Sequence, residues 1–263
     1  MIAGYYQFNP VFGNKEENLE RVRRVLLGHD FELMVLPEFF ATGYQFVSED
    51  EVRALSEPVP GGPTTEMLAE VAGKKSAYIV GGLPEVDDGR YYNSAVIVGP
   101  EGFVGSYRKS HLFFEEKLYF SPGNTGFRVF DTDLGRIGIM ICFDWFFPES
   151  MRTLALKGAE VIAHPANLVL PYCPQGMPIR CLENRVFAIT ANRTGSEERK
   201  EGKRLTYIGL SQIVSPGGDV VLRASPDEEE IGTRDIEPSA ARNKDINGYN
   251  NLFSDRRPDL YEL

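Results

Sequence analysis

An α/β fold in one domain is predicted by three features of the 263-residue chain. Short apolar runs with a period of two recur along its length, and segments with helical periodicity separate them. Several of those runs end abruptly on a polar or reactive residue. With 42% hydrophobic content the chain is long enough to bury a full core, so residues 1–263 are read as a single unit.

Taken in order, 2–8 reads as a first strand, broken by Asn9-Pro10 and Gly13-Asn14. Asn14 then caps a helix whose Leu19, Val22 and Leu26 share one face, with Lys15, Glu16, Glu20, Arg23 and Arg24 elsewhere, ending near Gly28. Residues 33–38 form a short apolar strand that finishes on Glu38. Strand-terminal glutamates are usually solvated, but Pro37, Phe39 and Phe40 would desolvate this one and push its pKa upward. A helix over 63–75 turns Met67, Leu68 and Val71 inward, and 77–82 is the next strand. Two strands, 91–98 and 103–109, are joined by the turn residues Gly99 to Gly102, and the second ends on Lys109, a position most often occupied by mere surface charge. Residues 110–116 mix aromatic and acidic side chains, which suits a pocket wall better than a solvated loop.

Strands at 127–130 and 135–142 follow. In the second, Ile137, Ile139 and Ile141 alternate with Gly138 and Met140 up to Cys142, and Pro148 then opens a helix to Gly158 that carries Met151, Leu154 and Ala155 on one face. Cys142 thus stands where a strand gives way to a helix, near backbone N–H groups able to lower its pKa and to hold an oxyanion; a lone cysteine there is equally read as a small buried hydrophobe. A strand at 160–164 leads into the loop 165–172, where Asn167 and Tyr172 are candidates for shaping a pocket. Residues 177–185 form a helix with Cys181 in its packing face, Cys173 lies in the loop before it, and 186–192 is a strand. The mixed-charge stretch 196–204 reads as surface loop, and strands at 207–214, 219–223 and 231–236 complete a second set. The tail 242–263 carries Tyr249, Leu252, Phe253, Leu260 and Tyr261, which are costly to expose together, so it is expected to pack on its own domain or at a subunit interface.

A formal charge of −10 argues against nucleic acid and anionic membrane surfaces, leaving a small molecule as the expected partner. No apolar run approaches the roughly 20 residues needed to span a bilayer, and the opening residues show neither a basic leader nor a cleavage site, so a cytoplasmic protein is expected. Three scattered cysteines give no disulfide framework, and His29, His111 and His164 have no ligand spacing, so no metal is implied.

Glu38, Lys109 and Cys142 share one address, the end of an apolar strand. A carboxylate, an ammonium and a thiol are the parts for acyl transfer through a covalent intermediate. The residues alone leave two other readings open: a Cys-His hydrolase using His111 or His164, and three unrelated side chains. The motifs Leu36-Pro37-Glu38-Phe39-Phe40, Tyr107-Arg108-Lys109-Ser110-His111 and Met140-Ile141-Cys142-Phe143-Asp144-Trp145 resemble, in order and spacing, the three signature motifs of the nitrilase superfamily of carbon–nitrogen hydrolases. The likeness extends through Tyr92 to Ala95, Ser121 to Gly123, Gly158 to Val161 and Arg180 to Arg185. It implies a four-layer α-β-β-α sandwich of two mixed β-sheets, assembled as a homodimer or larger homo-oligomer, and no cofactor. It also implies Cys142 as nucleophile, Glu38 as base, Lys109 and the Phe143 N–H at the oxyanion, and Glu116 as a second carboxylate near the triad. Phe143-Asp144 is similar to the pattern of amidases and carbamoyl-cleaving members, and Phe146 stands where carboxylate-binding members carry Arg. Phe113, Trp145 and Tyr172 then suggest a small, partly apolar acyl group. The expectation is hydrolysis of a small amide to acid and ammonia; a nitrile, a carbamoyl amine, and a ligand-binding module without activity are the alternatives.

Overall fold

The computed structural model describes residues 1–261. One six-stranded sheet runs, in spatial order, Glu230–Asp235, Ile2–Gln7, Leu33–Val35, Tyr78–Asp87, Arg90–Gly99 and Gly102–Arg108. The other runs Val220–Arg223, Gln212–Val214, Phe187–Ala191, Val161–Pro165, Gly135–Ile139 and Val129–Thr132. Each has parallel pairings at its centre, Ile2–Gln7 with Leu33–Val35 and Tyr78–Asp87 in one, Gly135–Ile139 with Val161–Pro165 and Phe187–Ala191 in the other. Antiparallel strands flank both centres, so both sheets are mixed.

Period-two alternation sorts the side chains. Ala3, Tyr5, Leu33, Val35, Val80, Ala95 and Ile97 point from the first sheet into a core shared with Ile139, Ala163 and Ile189 of the second. The intervening Tyr6, Met34, Ile79, Val96 and Val98 turn outward onto Leu19, Val22 and Leu26 of helix Lys15–Leu27 and Leu68 and Val71 of helix Pro63–Lys75. Helices Pro148–Leu156 and Cys173–Asn184 cover the second sheet through Met151, Leu154, Met177 and Cys181. Helices therefore enclose two facing mixed sheets, as the sandwich requires.

Several expectations are corrected. The last strand joins the first sheet, antiparallel to Ile2–Gln7, rather than completing the second set. The strand before Glu38 stops at Val35, because Pro37 has no N–H for the ladder and Phe39 takes a left-handed φ of 51°. Helix Glu49–Leu55 was not anticipated; Ser48 caps it by accepting from the Glu51 N–H at 3.3 Å. Cys173 begins its helix, buried, instead of lying in a loop. Residues 196–204 are not idle surface: Glu197 is buried and accepts from the Tyr44 and Gln45 N–H groups, Arg193 and the Tyr207 hydroxyl. The tail packs in part on its own chain, where Lys244 Nζ donates to the Asn184 and Arg185 carbonyls and Phe253 meets the core, while Tyr249 stays 96% exposed. Among the described residues no helix is long and apolar enough to cross a membrane.

Candidate active site

Within each sheet the strands that end near the site run the same way, and the bonds from Lys109 and Asn167 to Glu38 bring the carboxyl ends of both sheets together. Glu38 follows Leu33–Val35, Lys109 follows Gly102–Arg108, Cys142 follows Gly135–Ile139, and Asn167 follows Val161–Pro165. Close backbone approaches fix the first two. A Cβ on Gly82 would stand 2.6 Å from Glu38 Cα, so only glycine lets the neighbouring strand pass there. Gly123 donates its N–H to the Lys109 carbonyl at 2.9 Å, and a Cβ on it would lie 2.1 Å from the Arg108 carbonyl oxygen.

Lys109, 1% exposed, donates to Glu38 Oε1 at 2.7 Å and to Glu116 Oε1 at 2.8 Å. Burial alone would lower its pKa, but Glu116 and Glu38 outweigh that and hold it above the ordinary lysine value, so it stays charged. Glu116 is saturated: Oε1 also accepts from the Tyr44 hydroxyl at 2.6 Å, and Oε2 accepts from Asn93 Nδ2 at 3.4 Å and the Phe113 N–H at 3.3 Å. Glu38 is not. Its Oε1 accepts from Lys109 and from Asn93 Nδ2 at 2.7 Å, while Oε2, buried, has no hydrogen-bond partner among the described residues. Burial, offset by Lys109 and reinforced by Glu116, raises the Glu38 pKa, the condition of a carboxylate ready to take a proton.

Cys142 has φ +40°, a sharp turn leading into the 3-10 segment Cys142–Phe146. Asp144 pins that turn, accepting from the Ile141 N–H at 2.9 Å, the Tyr107 hydroxyl at 2.8 Å and the His111 N–H at 3.1 Å. The expectation of a lowered thiol pKa is corrected. Burial and the Glu38 charge push it well above the usual value, against Lys109 and the Asn167 N–H, so the resting thiol is protonated and needs a base at the moment of attack.

Neither histidine is that base: among the described residues no imidazole hydrogen-bonds the thiol. His111 bonds Asp144 through Nδ1 at 2.7 Å and stacks on Phe147. His164 is buried with Nε2 3.0 Å from the Cys142 carbonyl oxygen. A carbonyl only accepts, so Nε2 carries the proton and Nδ1 accepts from Thr190 Oγ1 at 3.0 Å. Burial takes its pKa down to about 4, partly countered by that carbonyl. A depressed histidine pKa means the unfolded chain binds the extra proton first, so stability is lost as pH falls from about 6.5 to 4, by about 3 kcal/mol. Urea unfolding at pH 7 and pH 4 should show this loss, and His164→Gln should show a smaller one.

An apolar pocket opens at the thiol, lined by Phe113, Phe143, Trp145, Asn167 and Leu168 with Cys142. Among the described residues no charged side chain lines it. Tyr172 does not line it; 56% exposed, it lines an outward groove with Gln175 and Arg180 that shares Trp145 and Phe146 with the pocket, because the chain has already turned into helix Cys173–Asn184. Tyr44, Asn93 and Asp144 were not singled out from sequence. Asn93 had a signal as part of the Tyr92 to Ala95 motif and Asp144 as part of the Phe143-Asp144 pattern; Tyr44 had none.

Two facing mixed sheets with a thiol, a carboxylate and a buried ammonium at one edge define a class of hydrolase, and the family model for carbon-nitrogen hydrolase matches residues 2–244. The chain belongs to that family, within the nitrilase superfamily, and is a carbon–nitrogen hydrolase. It is 50% identical over 262 residues, 98% of each chain, to a protein named nitrilase from Pyrococcus abyssi (strain GE5 / Orsay). It is 34% identical to an (R)-stereoselective amidase of Pseudomonas sp., covering 93% of this chain and 87% of that one. The crystal structure of a carbon-nitrogen hydrolase from Helicobacter pylori G27 superposes with a TM-score of 0.88 at 27% identity, covering 99% of this chain and 96% of that chain.

Proposed function

We propose that the protein hydrolyses the carbon–nitrogen bond of a small, uncharged amide through a thioester on Cys142. The observation that carries this reading is the Glu38 carboxylate, with Oε1 held by Lys109 and Asn93 and Oε2 buried and free. Glu38 takes the thiol proton as Sγ attacks the carbonyl carbon, then passes it to the departing nitrogen, and ammonia leaves. Water, deprotonated by Glu38, then cleaves the thioester to the acid. Lys109 has three donors, two engaged by Glu38 and Glu116, so one remains for the developing oxyanion. The Phe143 N–H, at the start of its turn and without an acceptor inside it, is the second donor; each is worth about 3 kcal/mol in the transition state. Glu116, with four donors on its two oxygens, holds Lys109 rather than competing for the proton. The uncharged pocket supports an apolar acyl group. A small nitrile is the second reading, favoured by the nitrilase name of the 50% identical relative. Ammonia release from a panel of small amides and nitriles, with an acyl adduct on Cys142 by mass spectrometry, tests both; no ammonia and no adduct would leave only a binding module.

We also infer a homodimer or larger homo-oligomer built on the covering helices of the second sheet, with the tail from 242 at the contact, its residues 262–263 lying outside those described. Leu156, Ile179 and Leu182 on those helices are 43%, 55% and 45% exposed, which a lone subunit would leave in water. Light scattering at micromolar concentration should give at least twice the 29.5 kDa subunit mass; monomer alone would reject it. Free cysteines at 142, 173 and 181 suit the reducing cytoplasm.

A further inference from the structure

Asn167 holds a second unsatisfied buried acceptor at the thiol. It is 3% exposed, lines the same pocket as Cys142, and its Oδ1 has no hydrogen-bond partner among the described residues. The orientation of its amide is set by chemistry: Nδ2 lies 2.8 Å from the Glu38 carbonyl oxygen, which can only accept, so the other terminal atom is the oxygen. The backbone around it is fixed on both sides. Ala166 donates to the Ala191 carbonyl at 2.9 Å and Leu168 to Asn192 Oδ1 at 2.7 Å, and swinging Oδ1 away would break the Nδ2 bond to Glu38. A buried carbonyl oxygen left unpaired costs about 1–3 kcal/mol, and a fold that keeps one at its pocket gains if the ligand supplies the donor.

We infer that Asn167 selects carboxamides over nitriles, by accepting one N–H of the substrate's amide at Oδ1. The inference rests on the amide-hydrolase reading of this site and sharpens it. The departing nitrogen must lie near Glu38, which delivers its proton, and Asn167 both bonds the Glu38 backbone and lines the pocket at Cys142, so its acceptor faces the space the substrate's amide would enter. A primary amide offers two N–H groups there. A nitrile offers none, and its binding leaves Oδ1 as unpaired as in the empty site. A pocket built to bond a substrate N–H discriminates strongly against the analogue that lacks it.

The experiment compares kcat/KM for a small aliphatic amide and the nitrile with the same carbon skeleton. In the wild-type protein the amide is favoured. Asn167→Leu removes the acceptor together with the Nδ2 bond to the Glu38 carbonyl, so both values should fall, the amide value by about tenfold or more beyond the nitrile value. Asn167→Asp should keep the amide preference below neutral pH, because its protonated carboxyl presents O–H to the Glu38 carbonyl and C=O to the substrate. Equal losses for both substrates in Asn167→Leu would mean that the residue only props Glu38, and a nitrile preference in the wild type would equally overturn the inference. Wild-type protein that turns over neither substrate and forms no adduct on Cys142 would instead remove the hydrolase reading beneath it. Should Asn167→Leu fail to fold, binding to Cys142→Ala decides: the amide tighter than the nitrile by tenfold or more supports the inference, and equal dissociation constants reject it.

Discussion

Cys142→Ala is expected to lower kcat by about four orders of magnitude or more, since removing the nucleophile of a group that acts as a unit costs nearly the whole of its rate enhancement. Cys173→Ala and Cys181→Ala should keep most of the turnover. Both thiols lie on the buried face of helix Cys173–Asn184, where burial raises both pKa values, and among the described residues neither lines the pocket at Cys142. Their loss should cost about 1 kcal/mol in stability instead. Steady-state ammonia release separates the three variants. Retained turnover in Cys142→Ala would overturn the thioester route, and loss of turnover in a folded Cys173→Ala would point to a second thiol.

Lys109→Met should remove activity and destabilise the fold together. It leaves Glu38 and Glu116 buried without their shared cation, and breaking a buried ion pair from one side costs about 3–5 kcal/mol. The cost should depend on pH in a definite sense. Without the ammonium, the buried Glu38 carboxyl, already raised by burial, loses the charge that holds it down, so the native state binds more protons and stability falls as pH rises above the unfolded carboxyl value. Urea unfolding at pH 5 and pH 8 should therefore show the larger deficit, relative to wild type, at pH 8. A deficit that shrinks with rising pH would show that the two carboxylates are not what Lys109 compensates.

The strand-end addresses of Glu38, Lys109 and Cys142 were legible because each follows an apolar run whose periodicity stops there, and one sheet direction then places such ends together. The sandwich itself came from motif resemblance, since periodicity predicts strands without saying which sheet takes them. The strand Glu230–Asp235 illustrates the gap: its Gly232, Thr233 and Arg234 carry little apolar alternation, and the edge it joins is decided by pairing with residues more than 200 positions away. Tyr44 and Glu197 were out of reach for a related reason. Each is a polar residue in a loop or strand with no local pattern, and only burial against distant elements makes its hydrogen bonds matter. The raised thiol pKa was misjudged because a strand-to-helix turn does supply N–H groups, yet the surrounding protein desolvates the sulfur more strongly than those groups stabilise its anion.

Glu38 and Lys109 hang from one sheet, Cys142 and Asn167 from the other. Side-chain packing holds the two sheets in alignment across their shared core, since each sheet's ladder is closed within itself. Turnover is therefore a gauge of sliding between layers. A small shear along the apolar seam would part the sulfur from its base while every strand kept its neighbours, so heat or mild denaturant should silence the enzyme before the circular dichroism of its strands and helices begins to fade.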